Sequence, residues 1–127
     1  MCMQRGLSNN QIIPMSFKTF QACIDACMAC AIECNTCASA CLNEPDVNMM
    51  TRCIELDREC ALICITAAQL MSMDGEFSHS LCQLCTDICQ ACAEECDKHD
   101  AEHCKRCARA CRACAEECRK MAKAGLI

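Results

Sequence analysis

Between residues 16 and 124 the apolar positions of this chain recur every three or four residues, and in four stretches the recurring residue is chiefly cysteine. In CIDACMACAIECNTCASAC, residues 23–41, thiols stand at Cys23, Cys27, Cys30, Cys34, Cys37 and Cys41, in steps of 4-3-4-3-4. Such steps average the roughly 3.6 residues of an α-helical turn. The spacing therefore predicts one helix with its thiols on a single face, neighbours at i,i+3 and i,i+4. Asp25, Glu33, Asn35, Thr36 and Ser39 fall on other faces. The helix is amphipathic, but its apolar stripe is sulfur where a soluble helix ordinarily carries Leu, Ile or Val.

The register repeats. CMACAIECNTCASAC (27–41), CQLCTDICQACAEEC (82–96) and CKRCARACRACAEEC (104–118) all read C-x2-C-x3-C-x2-C-x3-C. The second and third of these place Cys82, Cys85, Cys89, Cys92 and Cys96, then Cys104, Cys107, Cys111, Cys114 and Cys118, in one frame. MTRCIELDRECALIC (50–64) keeps the frame with Cys53, Cys60 and Cys64 but has Met50 at its first position and Asp57 at its third.

Turn signals divide the chain between these stretches. Residues 1–15, with Asn9, Asn10 and Pro14, read as a flexible arm, and residues 16–127 as a single domain. Ser16 is the expected cap of a first helix running to about Leu42. Asn43-Glu44-Pro45-Asp46 is a turn, with Asp46 able to cap a second helix from about Val47 to Met71. Asp74-Gly75 ends that helix, Gly being suited to the left-handed position. A third helix is expected from about Glu76 to Lys98, and a fourth from the cap Asp100 to Ala124. Short connections make consecutive helices antiparallel neighbours, so the fold class is all-α: an up-down-up-down four-helix bundle with a cysteine-lined core. Antiparallel packing gathers Phe17, Phe20, Met71, Met73, Phe77 and Met121 at one end as an apolar plug. The other end gathers Cys41, Met49, Met50, His99 and His103. His79 reads as a helix-start residue and Met50 as core filler.

Composition narrows the function. The net charge is −5, and Phe17, Phe20 and Phe77 are the whole aromatic content, so no basic surface interleaved with aromatics points to nucleic acid. Lys105, Arg106, Arg109, Arg112, Arg119, Lys120 and Lys123 read as a solvated outer face matched by acidic neighbours. The N-terminus lacks an apolar h-region, and no run of 18 apolar residues could cross a membrane. A cytoplasmic location, where thiols stay reduced, is the expectation.

Nineteen thiols in register are more than packing requires, because Leu or Ile would bury more area per position. Disulfides do not suit the compartment, and same-face helical thiols do not readily meet disulfide geometry. Soft thiolates select Cu(I), Zn(II) or iron–sulfur clusters. The bacterial ferredoxin run is absent, and a di-iron bundle needs paired Glu-x-x-His motifs where only Glu76 to His79 occurs. Zinc bound by four thiolates keeps a net charge of −2, and no Lys or Arg in the core register offsets it. One Cu(I) per thiolate is neutral, and a C-x3-C step can chelate one Cu(I) nearly linearly. Bulk Cu(I) storage without catalytic turnover is the leading function; zinc buffering or a thiol-redox detoxification protein are the alternatives. A redox enzyme would need a low-pKa thiol beside a positive charge, and none stands out. Asp57 is expected either to ligate metal near the open end or to pair with Arg58 or a histidine, since a lone buried carboxylate is costly.

The repeated frame, LDREC at 56–60 and CAEECDKHDAEHC at 92–104 resemble the cytosolic bacterial copper storage proteins over roughly residues 17–124. The resemblance implies many Cu(I) sites in each chain, a homotetramer, and histidine ligands at an open mouth, which here match His99 and His103. The nineteen core cysteines, His99, His103 and Asp57 are the expected ligand set. Storage also implies a partner that loads or unloads the metal, a copper chaperone or a copper-requiring client. The arm, with Cys2, departs from the family pattern.

Overall fold

The computed structural model describes residues 15–124, with side chains from residue 20 onward. The expected arm (but for Met15), the Phe17 side chain and Gly125 lie outside the described residues. Four α-helices follow one another: α1 (Met15–Cys41), α2 (Thr51–Ser72), α3 (Ser78–Cys96) and α4 (Glu102–Ala124). A short 3-10 helix, Val47–Met50, leads into α2. Among the described residues there is no strand. Packing is closest between α1 and α2 and between α3 and α4, then between α1 and α4 and between α2 and α3. That ring order is the expected up-down-up-down bundle.

Several helix ends differ from the sequence-based expectation. Met15 is already helical, so Ser16 is inside α1 and is not its cap. Asp46 precedes the 3-10 turn but makes no side-chain capping bond. The N–H groups of Cys104 and Lys105 both reach the Ala101 carbonyl, at 3.0 and 3.1 Å, so α4 opens after Ala101 and Asp100 stands one residue too early to cap it. At the end of α2 the left-handed position is taken by Asp74, with φ 51°, not by Gly75. Asp74 N–H donates to the Met71 carbonyl and Gly75 N–H to the Leu70 carbonyl, at 3.1 and 2.8 Å, which is a Schellman closure. Glycine eases the close approach here, because a Cβ at Gly75 would stand 3.2 Å from the Leu70 oxygen, a tight contact.

This turn delays α3 until Ser78 and leaves Met73 and Phe77 outside the helices, each 66% exposed. They do not plug the bundle. Of the side chains expected in the plug, Phe20, Met71 and Met121 are buried. His79 joins them: its Nδ1 lies 2.6 Å from the Met121 carbonyl oxygen, and its ring lies 6.0 Å from that of Phe20. It ties the start of α3 to the end of α4.

The outer face of α4 is neutralised by neighbours. Arg106 pairs with Glu33, Arg109 with Glu102, Arg112 with Asp97, Arg119 with Glu116 and Lys120 with Glu117. The Arg112 guanidinium holds the Asp97 carboxyl below its usual range. Such exposed pairs contribute on the order of 0–1 kcal/mol each, so they satisfy the surface and do not hold the bundle together.

Candidate metal centre

All nineteen cysteines of the described residues are free thiols with no solvent-exposed surface. Each lies at a core position of its helix because the 4-3 spacing keeps it on one face. Ala31, Ala61, Ala67, Ala68, Ala93, Ala108 and Ala115 flank them, small enough to let the helices close on the sulfur column.

The sulfurs form tiers along the axis. At the closed end Cys23 and Cys118 are 3.6 Å apart, and Cys27 and Cys114 are 3.6 Å apart. Cys64 then meets Cys85, Cys89 and Cys114, each at 3.7 Å. In the middle Cys60 meets Cys89 at 3.6 Å and Cys30 at 3.7 Å, and Cys30 meets Cys111 at 3.6 Å. Cys34 and Cys107 follow at 3.7 Å. Nearest His99 and His103, Cys53 meets Cys96 at 3.6 Å and Cys41 at 3.8 Å, and Cys37 meets Cys104 at 3.8 Å. A disulfide bond is about 2.05 Å long, so these are contacts between thiols and not bridges.

Groups of four thiols have all their sulfurs within 4.8 Å of one another, among them Cys30, Cys60, Cys64 and Cys89; Cys30, Cys34, Cys60 and Cys111; and Cys34, Cys92, Cys107 and Cys111. These groups share members: Cys30 and Cys60 belong to two, as do Cys34 and Cys111. Shared corners suit a metal whose thiolates bridge from one ion to the next, not ions that each own four ligands. The i,i+4 pairs refine the expected linear geometry. Cys30–Cys34, Cys60–Cys64 and Cys85–Cys89 stand 3.9, 3.9 and 3.8 Å apart. With metal–sulfur bonds of about 2.3 Å, that spacing corresponds to a bent angle near 115°, whereas a linear ion needs about 4.6 Å. As placed, the thiols are set for bent, three-sulfur or bridged coordination.

Asp57 is fully buried and meets neither Arg58, which is exposed, nor a histidine. Its Oδ1 accepts from Cys92 at 3.1 Å, Cys107 at 3.2 Å and Cys96 at 3.6 Å, and its Oδ2 from Cys53 at 3.8 Å. Thiols from three helices thus do what a counter-charge was expected to do. Burial, with the nearby Cys107 and Cys53 thiols, pushes the Asp57 carboxyl up to about 8. Burial likewise raises Cys104, to about 12, and Cys41. Burial thus favours the neutral S–H form of Cys41 and Cys104.

His99 and His103 differ in their partners. His103 Nδ1 lies 3.3 Å from Cys37 Sγ and 3.6 Å from Cys104 Sγ, and its Nε2 lies 2.8 Å from Glu44 Oε2. A carboxylate behind the ring orients it toward the thiols, as a metal-binding histidine requires. His99 is brought to the same end, but its Nε2 lies 3.0 Å from Glu95 Oε2. Met50 is buried there, while Met49 is 66% exposed. Two surface hollows, of about 440 and 300 Å3, lie between α1 and α4 and between α3 and α4, and no cysteine lines either.

Comparison with known proteins agrees with this geometry. The profile of one family, described as copper storage protein, matches residues 16–123. An uncharacterized cysteine-rich protein of Bacillus subtilis (strain 168) is 51% identical over 83 residues, 65% of this chain and 77% of that protein. The Cu(I)-bound copper storage protein BsCsp3, from Bacillus subtilis, is 50% identical, with a TM-score of 0.79 over 82% of this chain and 98% of that one. A cytosolic copper storage protein from Streptomyces lividans, captured during copper loading with five coppers, is 36% identical, with a TM-score of 0.82 over 85% of this chain and 95% of that one.

Proposed function

Because the chain belongs to the copper storage protein family, we propose that its core holds Cu(I) in bulk in the cytosol, near nineteen ions in each chain, about one for every core thiol. The supporting observation is the continuous sulfur column, buried and without a cationic side chain in it. A thiolate in such a core needs a cation within bonding distance, and a monovalent soft ion cancels its charge one for one. Each ion entering displaces one thiol proton, so loading exchanges like charge for like. This reading includes no turnover: the thiols face one another, and neither of the two hollows described above is lined by a cysteine. Homotetrameric assembly belongs to the same reading. Outward-facing Ile32, Leu62 and Leu84 are apolar surface that such an assembly would cover.

The experiment is direct competition. Reduced protein is exposed anaerobically to Cu(I) and Zn(II) together, and the retained metal is measured. Cu(I) is expected to displace Zn(II) completely; retention of Zn(II) would replace storage of copper by zinc buffering.

Imidazole is a weaker soft ligand than thiolate, which suits a group that passes ions inward. The mouth histidines are therefore assigned to transfer, with Asp57 supporting the thiols around it. His103→Ala with His99→Ala is expected to slow loading or removal while lowering capacity by a few ions at most. Most of that effect follows from His103→Ala alone, since His103 is the histidine in contact with Cys37 and Cys104. Stopped-flow loading with a final metal count tests this. Unchanged rates in the double variant, with slowed loading after changes at Phe20 or Met121, would put the entrance at the other end.

A further inference from the structure

The closed end of the bundle carries a soft donor among its packed apolar side chains. Met71, in the last turn of α2, is 2% exposed, and the Cys82 thiol donates toward its Sδ at 3.7 Å. Cys82 is itself fully buried, beside the thiols of Cys23 and Cys118. Two sulfurs that share one ion at about 2.3 Å each stand about 3.7–4.0 Å apart when the angle between them is near 110–120°. The Met71–Cys82 separation lies in that range, and it matches the thiol pairs deeper in the column, such as Cys30–Cys60 at 3.7 Å. We propose that Met71 Sδ and Cys82 Sγ form a terminal Cu(I) site at the closed end of the column, with the thioether as a neutral ligand. The proposal rests on the copper-storage reading and extends it.

The chemistry explains why a thioether belongs there. A thiolate in the middle of the column has sulfurs on both sides with which to share ions. The last tier has none on its closed side, so its ion lacks a donor. A further thiolate would supply one but would add a buried negative charge; a thioether supplies a lone pair and no charge. Binding is balanced: the proton that Cys82 now directs at Met71 leaves, Cu(I) takes its place between the two sulfurs, and no oxidation state changes. Water does not compete readily, because Phe20, Met121 and His79, the last held on the Met121 carbonyl at 2.6 Å, close the end above the site.

The test uses full-length reduced protein labelled with [13C-methyl]methionine and titrated anaerobically with Cu(I). The Met71 methyl signal, assigned through Met71→Leu, is expected to shift between metal-free and saturated protein, while Met28, 40% exposed, stays as the reference. Selenomethionine-labelled protein separates ligation from repacking: its selenium absorption edge should gain a copper neighbour at bonded distance, lost in Met71→Leu. That near-isosteric variant should bind one ion fewer and keep the rest. A saturated column with the Met71 methyl unmoved and no copper beside selenium would overturn the terminal site alone. Saturation at four or five ions would overturn the storage reading with it.

Discussion

Reduced, metal-free protein is expected to lose stability steadily as the pH rises from about 4 to about 8, and Asp57→Asn to abolish the trend. The unfolded carboxyl titrates near 3.8, whereas burial and the neighbouring thiols push the folded one up to about 8. Between those values the folded chain holds a proton that the unfolded chain has released. Stability then falls with rising pH, by about 1.4 kcal/mol for each unit. The contribution is fully present below the unfolded value and is lost as the pH climbs through the folded one. Against the roughly 5–15 kcal/mol that holds a typical domain together, this is a large fraction. Asn at this position keeps an oxygen acceptor for Cys92 and Cys107 without the ionisation. Anaerobic denaturant titrations from pH 4 to pH 8 check the prediction. Equal slopes for the original protein and Asp57→Asn would mean that this carboxyl is not the source of the pH dependence.

The placement of the thiols was legible in the sequence because it depends on one local quantity, the 4-3 spacing, and every core cysteine from Cys23 to Cys118 lies where that spacing puts it. The ring order of the helices followed from short connections. The partners of Asp57 were not legible, since a neutral thiol does not announce itself as a donor and Cys92, Cys96 and Cys107 come from other helices. The closed end was misread in part. Phe77 and Met73 belong to a turn whose Schellman closure carries them outside the packed faces, and periodicity says nothing about a turn. The sequence also placed His99 and His103 at one mouth without separating them. That distinction depends on which carboxylate each ring meets: Glu95 lies one turn before His99, while Glu44 comes across from the end of α1 to His103. Contact between Met71 and Cys82 depends on side-chain reach in the same way and has no sequence signature.

A chain that takes up about nineteen Cu(I) ions, and not four or five, is the second large expectation. Geometry alone does not decide it, because sulfurs within 4.8 Å of one another could also surround zinc. Charge favours the larger number. Zinc sites of four thiolates carry about −2 each, so four of them would leave about −8 in a core with no Lys or Arg. Burying even one uncompensated charge is costly, and the idealised penalty far exceeds the stability of a domain. Four-thiol sites would also have to divide Cys30, Cys34, Cys60 and Cys111 between overlapping groups and would leave some thiols without metal. One Cu(I) per thiolate removes both difficulties, since bridging shares the sulfurs and each ion cancels one charge. The most direct measurement is the metal count of the reduced protein at saturation, by anaerobic titration with Cu(I) read by native mass spectrometry. A plateau near nineteen ions per chain is the predicted result; a plateau at four or five would contradict it.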